Sequence, residues 1–121
     1  MARLTTHVLD VVHSVPAADL LVRAFKLNAE GNKASPAPDA EIRTDANGRG
    51  VLLEGDAFSK GWYRMEFELA AYFEGKGTKM TGENTFATRP AVEFLVDNLD
   101  RNWHVPLSNA SPGGYVCYRG S

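Results

Sequence analysis

The strongest indication of the fold is the stretch Trp62-Tyr63-Arg64-Met65-Glu66-Phe67-Glu68-Leu69. Successive side chains of a β-strand point to opposite faces of the sheet, so every second residue shares a face. One face of this stretch would be apolar, with Tyr63, Met65, Phe67 and Leu69, and the other mostly charged, with Trp62, Arg64, Glu66 and Glu68. The alternation predicts a strand that packs its apolar face on a core and leaves the charged face in solvent.

Further strands are predicted on both sides of this stretch, from short segments rich in apolar, β-branched and aromatic residues. They are residues 4–12, 20–27, 41–44, 49–53, 91–96, 103–107 and 115–118. Residues 70–74 have helical propensity, and we expect a short helix there that Gly75 closes. Seven or eight short strands with one short helix indicate an all-β fold, an antiparallel β-sandwich.

The tetrapeptide Asp45-Ala46-Asn47-Gly48 separates two of these segments. Asn-Gly between two short strand-like runs is the strongest short-range indication of a β-hairpin, because both residues tolerate positive φ. The pattern therefore predicts that segments 41–44 and 49–53 are the arms of a hairpin, with Arg49 at the start of the second arm.

Composition and charge limit the possible partners. The 121 residues suit one domain that spans residues 1–121, and 44% apolar with 23% charged residues is ordinary for a soluble globular protein. The net charge is -2, and no cluster of Lys or Arg predicts binding to nucleic acid or to a membrane. Cys117 is the only cysteine, which excludes an internal disulfide and fits a reducing compartment. With no secretory signal or apolar span in the sequence, we expect a cytoplasmic protein.

Residue patterns alone do not identify a reaction. The chain has no Gly-rich phosphate loop and no Cys-x-x-Cys, and its three histidines, His7, His13 and His104, lie far apart in sequence. A single His in a strand is more often a packed or surface residue than a catalyst. Arg49 alone would be a solvated charge, and the last four residues would normally be frayed. His13 is predicted at the surface, and Cys117 is predicted to be buried or to line a channel rather than to act as a nucleophile.

Four motifs taken together carry a family resemblance. They are Leu4-Thr5-Thr6-His7-Val8-Leu9-Asp10 followed by Pro16-Ala17-Ala18, Thr44-Asp45-Ala46-Asn47-Gly48-Arg49, His104-Val105-Pro106-Leu107, and Tyr118-Arg119-Gly120-Ser121. In this order and spacing they resemble the 5-hydroxyisourate hydrolases of the transthyretin-like family across nearly the whole chain. Transthyretin itself shares the fold but lacks this set, so the resemblance favours the enzyme branch over the hormone carrier.

The resemblance implies a transthyretin-like (prealbumin-like) sandwich of eight strands that assembles as a homotetramer. Dimers form edge to edge, and two dimers meet face to face around a central channel that holds the active sites. The implied reaction is the hydrolytic ring opening of 5-hydroxyisourate to 2-oxo-4-hydroxy-4-carboxy-5-ureidoimidazoline in urate degradation. It implies neither a metal nor an organic cofactor.

The resemblance also implies site residues. The catalytic set would be His7, Arg49, His104 and Ser121, and the substrate-binding set would be His7, Arg49, Tyr118, Arg119 and Gly120. Ring opening needs an activated water, a stabilised oxyanion and a protonated leaving nitrogen; histidines can transfer the protons, and a permanently charged Arg can hold the oxyanion. Which His activates water stays open at this stage.

The chain departs from the family pattern in two places. Asn102 stands where the family commonly has a first His before Trp103-His104, and residues 108–114 form a connection that is one residue longer and more polar than usual. Two alternatives to the enzyme also remain at this point. One is a non-catalytic transthyretin-like protein that binds a small ligand, and the other is a structural or partner-docking role.

Overall fold

The alternating stretch forms one of the two inner strands of a four-stranded sheet, which is one of two sheets. The computed structural model describes residues 2–120. In this sheet, β3 (Leu21–Lys26) lies between β4 (Ala40–Arg43) and β6 (Gly61–Phe67), and β7 (Ala91–Val96) pairs with the far edge of β6, all antiparallel. Tyr63, Met65 and Phe67 are at most 1% exposed. The predicted apolar face of β6 therefore lies in the core.

The charged face of β6 is less solvated than predicted. Glu66 is only 7% exposed, and its carboxylate accepts Arg64 Nε at 2.9 Å and Lys33 Nζ at 3.1 Å. Lys33 also lies over the Phe25 ring, 3.7 Å from its centroid. Burial alone would raise the pKa of Glu66, but the bonds from Arg64 and Lys33 lower it overall. The prediction was wrong at Glu66 because a distant loop residue covers it.

The second sheet is built around β1 (Arg3–Asp10). The first half of β1 pairs with β5 (Arg49–Glu54) antiparallel and with β8 (Trp103–His104) parallel. The second half pairs with β2 (Val15–Pro16) antiparallel and with β9 (Leu107–Ser111) parallel, and β10 (Gly114–Cys117) continues the sheet beyond β9. The two sheets and one helix confirm the predicted fold class, a transthyretin-like β-sandwich. The parallel partners of β1 were not anticipated.

The predicted hairpin at Asn47-Gly48 is wrong. A turn does form, with Gly48 N–H bonded to Asp45 O at 2.9 Å, but β4 belongs to one sheet and β5 to the other. Only Gly48 of the turn has positive φ, at +75°, and Val8 N–H binds its carbonyl at 2.8 Å. A Cβ on Gly48 would lie 2.5 Å from Val8 O. This close contact with β1 directs the chain into the second sheet.

The helix α1 (Leu69–Gly75) confirms the predicted helix, but Gly75 does not close it. Thr78 N–H bonds to Phe73 O and Gly77 N–H bonds to Glu74 O, each at 3.0 Å. This pair of bonds is the Schellman motif, which needs a left-handed residue between the helix and its exit. Gly77, with φ of +89°, supplies it.

The C-terminal segments also differ from their predicted boundaries. The predicted strand 103–107 divides into β8 and β9 around Val105-Pro106, because a proline has no N–H to donate to a sheet. Most of the predicted connection 108–114 is ordered as β9 and the start of β10. Asn109 has φ of +51°, and the register between β9 and β10 shifts between Gly114 and Val116. The segment is thus an irregular hairpin rather than a loop.

A buried carboxylate ties helix α1 to β1. Asp10 is 2% exposed, and its carboxylate accepts Tyr72 O–H at 2.7 Å, His13 Nδ1 at 2.6 Å and the His13 backbone N–H at 3.0 Å. Burial raises the pKa of Asp10, but these donors and the charge of His13 lower it overall. The exposed His13, predicted as a surface residue, therefore also binds Asp10, and its ring stacks on Phe73.

Within residues 2–120, no helix is long and apolar enough to cross a bilayer.

Replacing Tyr72 by Phe should lower the free energy of unfolding by about 1.5–3 kcal/mol, because a buried charged acceptor loses a donor. Urea-induced unfolding at neutral pH measures the effect. The matched control is Tyr115→Phe at a site that is 38% exposed, where a change within about 0.5 kcal/mol is expected. Equal stability of the two variants would contradict the role assigned to Tyr72.

Candidate active site

Strand β1 divides its side chains between the core and an outer face. Leu4, Thr6 and Val8 are at most 1% exposed, whereas Thr5 and His7 are half-buried on the opposite face. This follows from the two-residue period of a strand. The catalytic candidate His7 is therefore presented outward, beside Thr5.

His104 is held against β1 by β8. The parallel register places His104 opposite Thr5, and Val105 N–H bonds to Thr5 O at 2.9 Å. Thr6 Oγ1 donates to Val105 O at 2.8 Å. On the outer face, Thr5 Oγ1 lies 2.8 Å from His104 Nδ1, within hydrogen-bonding distance. The Val105 backbone bond and the Thr6 hydroxyl thus hold the 104–105 backbone against β1, and Thr5 is the side chain that contacts the imidazole itself.

Arg49 reaches the same face from the other edge of β1. The register pairs Arg49 with His7. Asp45 Oδ1 accepts the backbone N–H of Asn47 at 2.8 Å and that of Arg49 at 3.0 Å. These backbone bonds, and the positive charges of Arg49 and His7, lower the pKa of Asp45. The turn that crosses between the sheets therefore places Arg49, and an ionised carboxylate beside it, near His7.

These elements border an open cleft of about 600 Å³. It is lined by Arg3, Thr5, Thr6, Ile42, Arg43, Asp45, Arg49, Gly50, Val51, Asn102 and His104. Residues from both sheets contribute, since Ile42 and Arg43 belong to β4. Gly50 makes this possible, because a Cβ there would collide with the Ile42 side chain. The Asn102 side chain also accepts the Arg3 backbone N–H at 3.0 Å.

Part of the C-terminal tail packs on His104. Gly120 N–H bonds to His104 O at 2.8 Å, and a Cβ on Gly120 would lie 2.7 Å from His104 Cδ2. Tyr118 is 53% exposed. The Arg119 guanidinium lies 5.9 Å from the centroid of the Trp103 ring and lines a separate apolar cavity of about 140 Å³. Ser121, predicted to be catalytic, lies outside the described residues.

The structure thus brings together some of the predicted site residues. Arg49 and His104 line the cleft, His7 lies opposite Arg49, and Gly120 packs on His104. Tyr118 and Arg119 do not line this cleft and instead border the smaller cavity beside Trp103. The roles given to these residues stay predictions.

Sequence reasoning missed several cleft residues. Thr5 could have been found, because it lies two positions before His7 on the same strand face. Asp45 could also have been found, because it begins the turn motif that ends in Arg49. No sequence pattern indicated that Arg3 and Arg43 would line the cleft. They come from separate strands, and only the packing of the two sheets brings them there.

Burial and nearby positive charges favour the neutral form of the His104 imidazole. Burial lowers the pKa of His104, and the positive charges of His7 and Arg49 lower it further. An ordinary His has a pKa of about 6.5, so His104 is mostly uncharged at neutral pH. A neutral imidazole in a cleft with a fixed cation can accept or donate a proton while the cation stabilises developing negative charge.

Among residues 2–120, no group of three or more His, Cys, Asp and Glu side chains is placed to hold a metal ion.

Replacing Gly120 by Ala should lower kcat by up to about 100-fold, because the added methyl group displaces the imidazole of His104. Steady-state kinetics with the candidate substrate measure the loss. Gly75→Ala is the control, since a Cβ there meets no atom within 4 Å. A Gly120→Ala protein as active as Gly75→Ala would show that the ring tolerates the displacement.

Replacing Arg49 by Gln should raise the pKa of His104, because removing a nearby positive charge favours the protonated imidazole. An NMR titration of the His104 ring protons measures the shift without any need for activity. In the unchanged protein, His104 should titrate below about pH 6.5. Arg89→Gln, at a residue that does not line the cleft, should leave the His104 titration unchanged. An unchanged or lower pKa in Arg49→Gln would refute the coupling.

The chain is similar over nearly its whole length to known proteins. Residues 4–120 match the model of the HIUase/Transthyretin family. A 5-hydroxyisourate hydrolase of Caulobacter vibrioides is 40% identical over 121 residues, covering 100% of both chains. The solved structure of Klebsiella pneumoniae 5-hydroxyisourate hydrolase is 28% identical with a TM-score of 0.77, covering 100% of both chains. Sea bream transthyretin in complex with thyroxine is 25% identical with a TM-score of 0.82, covering 98% of this chain and 95% of that chain. The chain therefore belongs to the HIUase/Transthyretin family.

Proposed function

We propose that this protein is an enzyme that hydrolyses 5-hydroxyisourate, the reaction for which its similar relatives are named. The observation that carries the proposal is one cleft that holds both His104, whose pKa is lowered by burial and by nearby positive charges, and the cationic Arg49, with His7 opposite Arg49 on β1. Three polar groups of this kind would be costly in a site for a purely apolar ligand, since each must be desolvated. The arrangement suits a polar heterocycle that develops negative charge as it reacts.

The chemistry is the addition of water across a cyclic amide. The water oxygen forms a bond to the ring carbonyl carbon while a base takes one of its protons. The C–N bond then breaks, and an acid returns a proton to the leaving nitrogen, giving 2-oxo-4-hydroxy-4-carboxy-5-ureidoimidazoline. His7 and His104 share these proton transfers, and Arg49 holds the oxygen that carries the negative charge.

The tail residues take different parts in this proposal. Gly120 borders the imidazole of His104, where only a residue without a side chain leaves the ring in place. Tyr118 and Ser121 are proposed to complete the substrate site. Arg119 is proposed to do so too, although in this chain its guanidinium lies over Trp103.

A homotetramer, built as a dimer of dimers, is the proposed assembly. Exposed apolar side chains near the β1–β2 turn and on β10 support it, because apolar surface of this kind marks interaction sites. They are Leu9, Val11, Val12, Val15 and Val116, between 39% and 52% exposed. A cytoplasmic location is also proposed, with a free cysteine at position 117 in support.

Replacing His104 or Arg49 by Ala should reduce turnover by about 100-fold or more, since each removes a group that acts in the transition state. The assay generates 5-hydroxyisourate with urate oxidase and follows its ultraviolet absorbance with and without this protein. Arg89→Ala, at an exposed arginine that does not line the cleft, is the control and should keep normal turnover.

Size-exclusion chromatography with light scattering should show the same oligomer for all three variants. If the unchanged protein does not accelerate the decay of 5-hydroxyisourate, the proposal fails in favour of a non-catalytic transthyretin-like binding protein. Near-normal turnover in both His104→Ala and Arg49→Ala would overturn the assignment of residues while leaving the reaction in place.

A further inference from the structure

We propose that Thr5 is a positioning residue that acts through His104: its hydroxyl holds Nδ1 of the imidazole, so that Nε2 is the nitrogen that exchanges protons with the substrate or with water. The part of this inference that concerns substrate rests on the proposed function. The contact between Thr5 and His104 does not.

The first support is the hydrogen bond itself. Thr5 Oγ1 and His104 Nδ1 are 2.8 Å apart, a short distance for a bond between oxygen and nitrogen. Within residues 2–120, Nδ1 of His104 is the only hydrogen-bond partner of the Thr5 hydroxyl. A hydroxyl can donate to an unprotonated Nδ1 or accept from a protonated one, so it can serve the ring in either neutral tautomer. Nδ1 is therefore occupied in both.

The second support is the opposite edge of the ring. Gly120 approaches His104 so closely that a Cβ would lie 2.7 Å from Cδ2 and 3.5 Å from Cγ. The backbone on both sides of the ring is fixed too, since Gly120 N–H bonds to His104 O and Val105 N–H bonds to Thr5 O. With Thr5 at Nδ1 and Gly120 against Cδ2, the imidazole has little freedom to turn.

The free nitrogen follows by elimination. Among the described residues, no side chain or backbone group forms a hydrogen bond with His104 Nε2, while His104 itself lines the cleft. A catalytic His commonly has one nitrogen fixed by a neighbouring group, which sets the role of the other. Here Thr5, a neutral hydroxyl, takes that place rather than a carboxylate. A neutral partner fixes the ring without favouring its protonated form, which fits a site where His104 stays uncharged.

The neighbouring Thr6 provides a matched control. Both residues lie on β1, and each hydroxyl bonds at 2.8 Å to the 104–105 segment. The Thr6 hydroxyl binds the backbone oxygen of Val105 in the core, whereas that of Thr5 binds the imidazole. Thr6→Val should therefore lower the stability of the protein and leave the orientation of the His104 imidazole unchanged. Thr5→Val should change that orientation.

The experiment compares Thr5→Val, Thr5→Ser and Thr6→Val by NMR and by kinetics. In ¹⁵N spectra of the imidazole, Thr5→Val should change the Nδ1 shift and the tautomer ratio of His104, while Thr5→Ser and Thr6→Val keep both. In the coupled assay, Thr5→Val should lose up to about 100-fold in kcat with little change in KM, as expected for a misplaced catalytic group. Thr5→Ser should restore most of that loss.

Two results would overturn the proposal. One is an unchanged His104 spectrum in Thr5→Val, and the other is a Thr5→Ser protein that behaves like Thr5→Val, which would show that the hydroxyl does not by itself position the ring. Thr5→Ala provides a second variant without the hydroxyl if Thr5→Val does not fold. If the unchanged protein does not hydrolyse 5-hydroxyisourate, the proposed function fails while the NMR comparison still decides the role of Thr5.

Discussion

The pairing of strand β1 along both of its edges determines the architecture of the second sheet and the arrangement of the candidate site. On one edge it binds β5 antiparallel, and on the other it binds β8 and β9 parallel. The side chains on its inner face pack in the core, and the side chains on its outer face lie beside residues of the partner strands. His7 consequently faces Arg49 and Thr5 faces His104. A change of register by one residue on either edge would separate the pair on that edge and turn the core side chains of the shifted strand outward.

Local sequence patterns predicted the elements that depend on neighbouring residues. The alternation around Met65 and the position of the helix were confirmed, because side-chain period and helical propensity act over a few residues. The Asn47-Gly48 pattern predicted a turn but assigned the wrong strand partner to β5, since pairing is settled by the contact of Gly48 with β1. Glu66 was wrongly placed in solvent for the same reason: the lysine that covers it is 33 residues away in the chain.

In the candidate site too, some residues could be predicted from the sequence and others could not. The family motifs identified Arg49 and His104, which line the cleft, and His7, which lies opposite Arg49. They did not identify Thr5, whose importance depends on the parallel pairing of two segments about 99 positions apart. Nor did they indicate that Arg119 would lie beside Trp103 while the adjacent Gly120 packs on His104.

The turn at residues 45–48 joins the two sheets and also carries Arg49 into the cleft. Ile42 and Arg43 precede the turn in one sheet, and most of the other lining residues belong to the second sheet. The separation of the walls is therefore set by the distance between the sheets, which the packed core fixes and the short turn limits. Substitutions deep in the core, far from any reacting group, would alter the dimensions of the cleft. In this molecule, the core determines the size of the substrate that can enter.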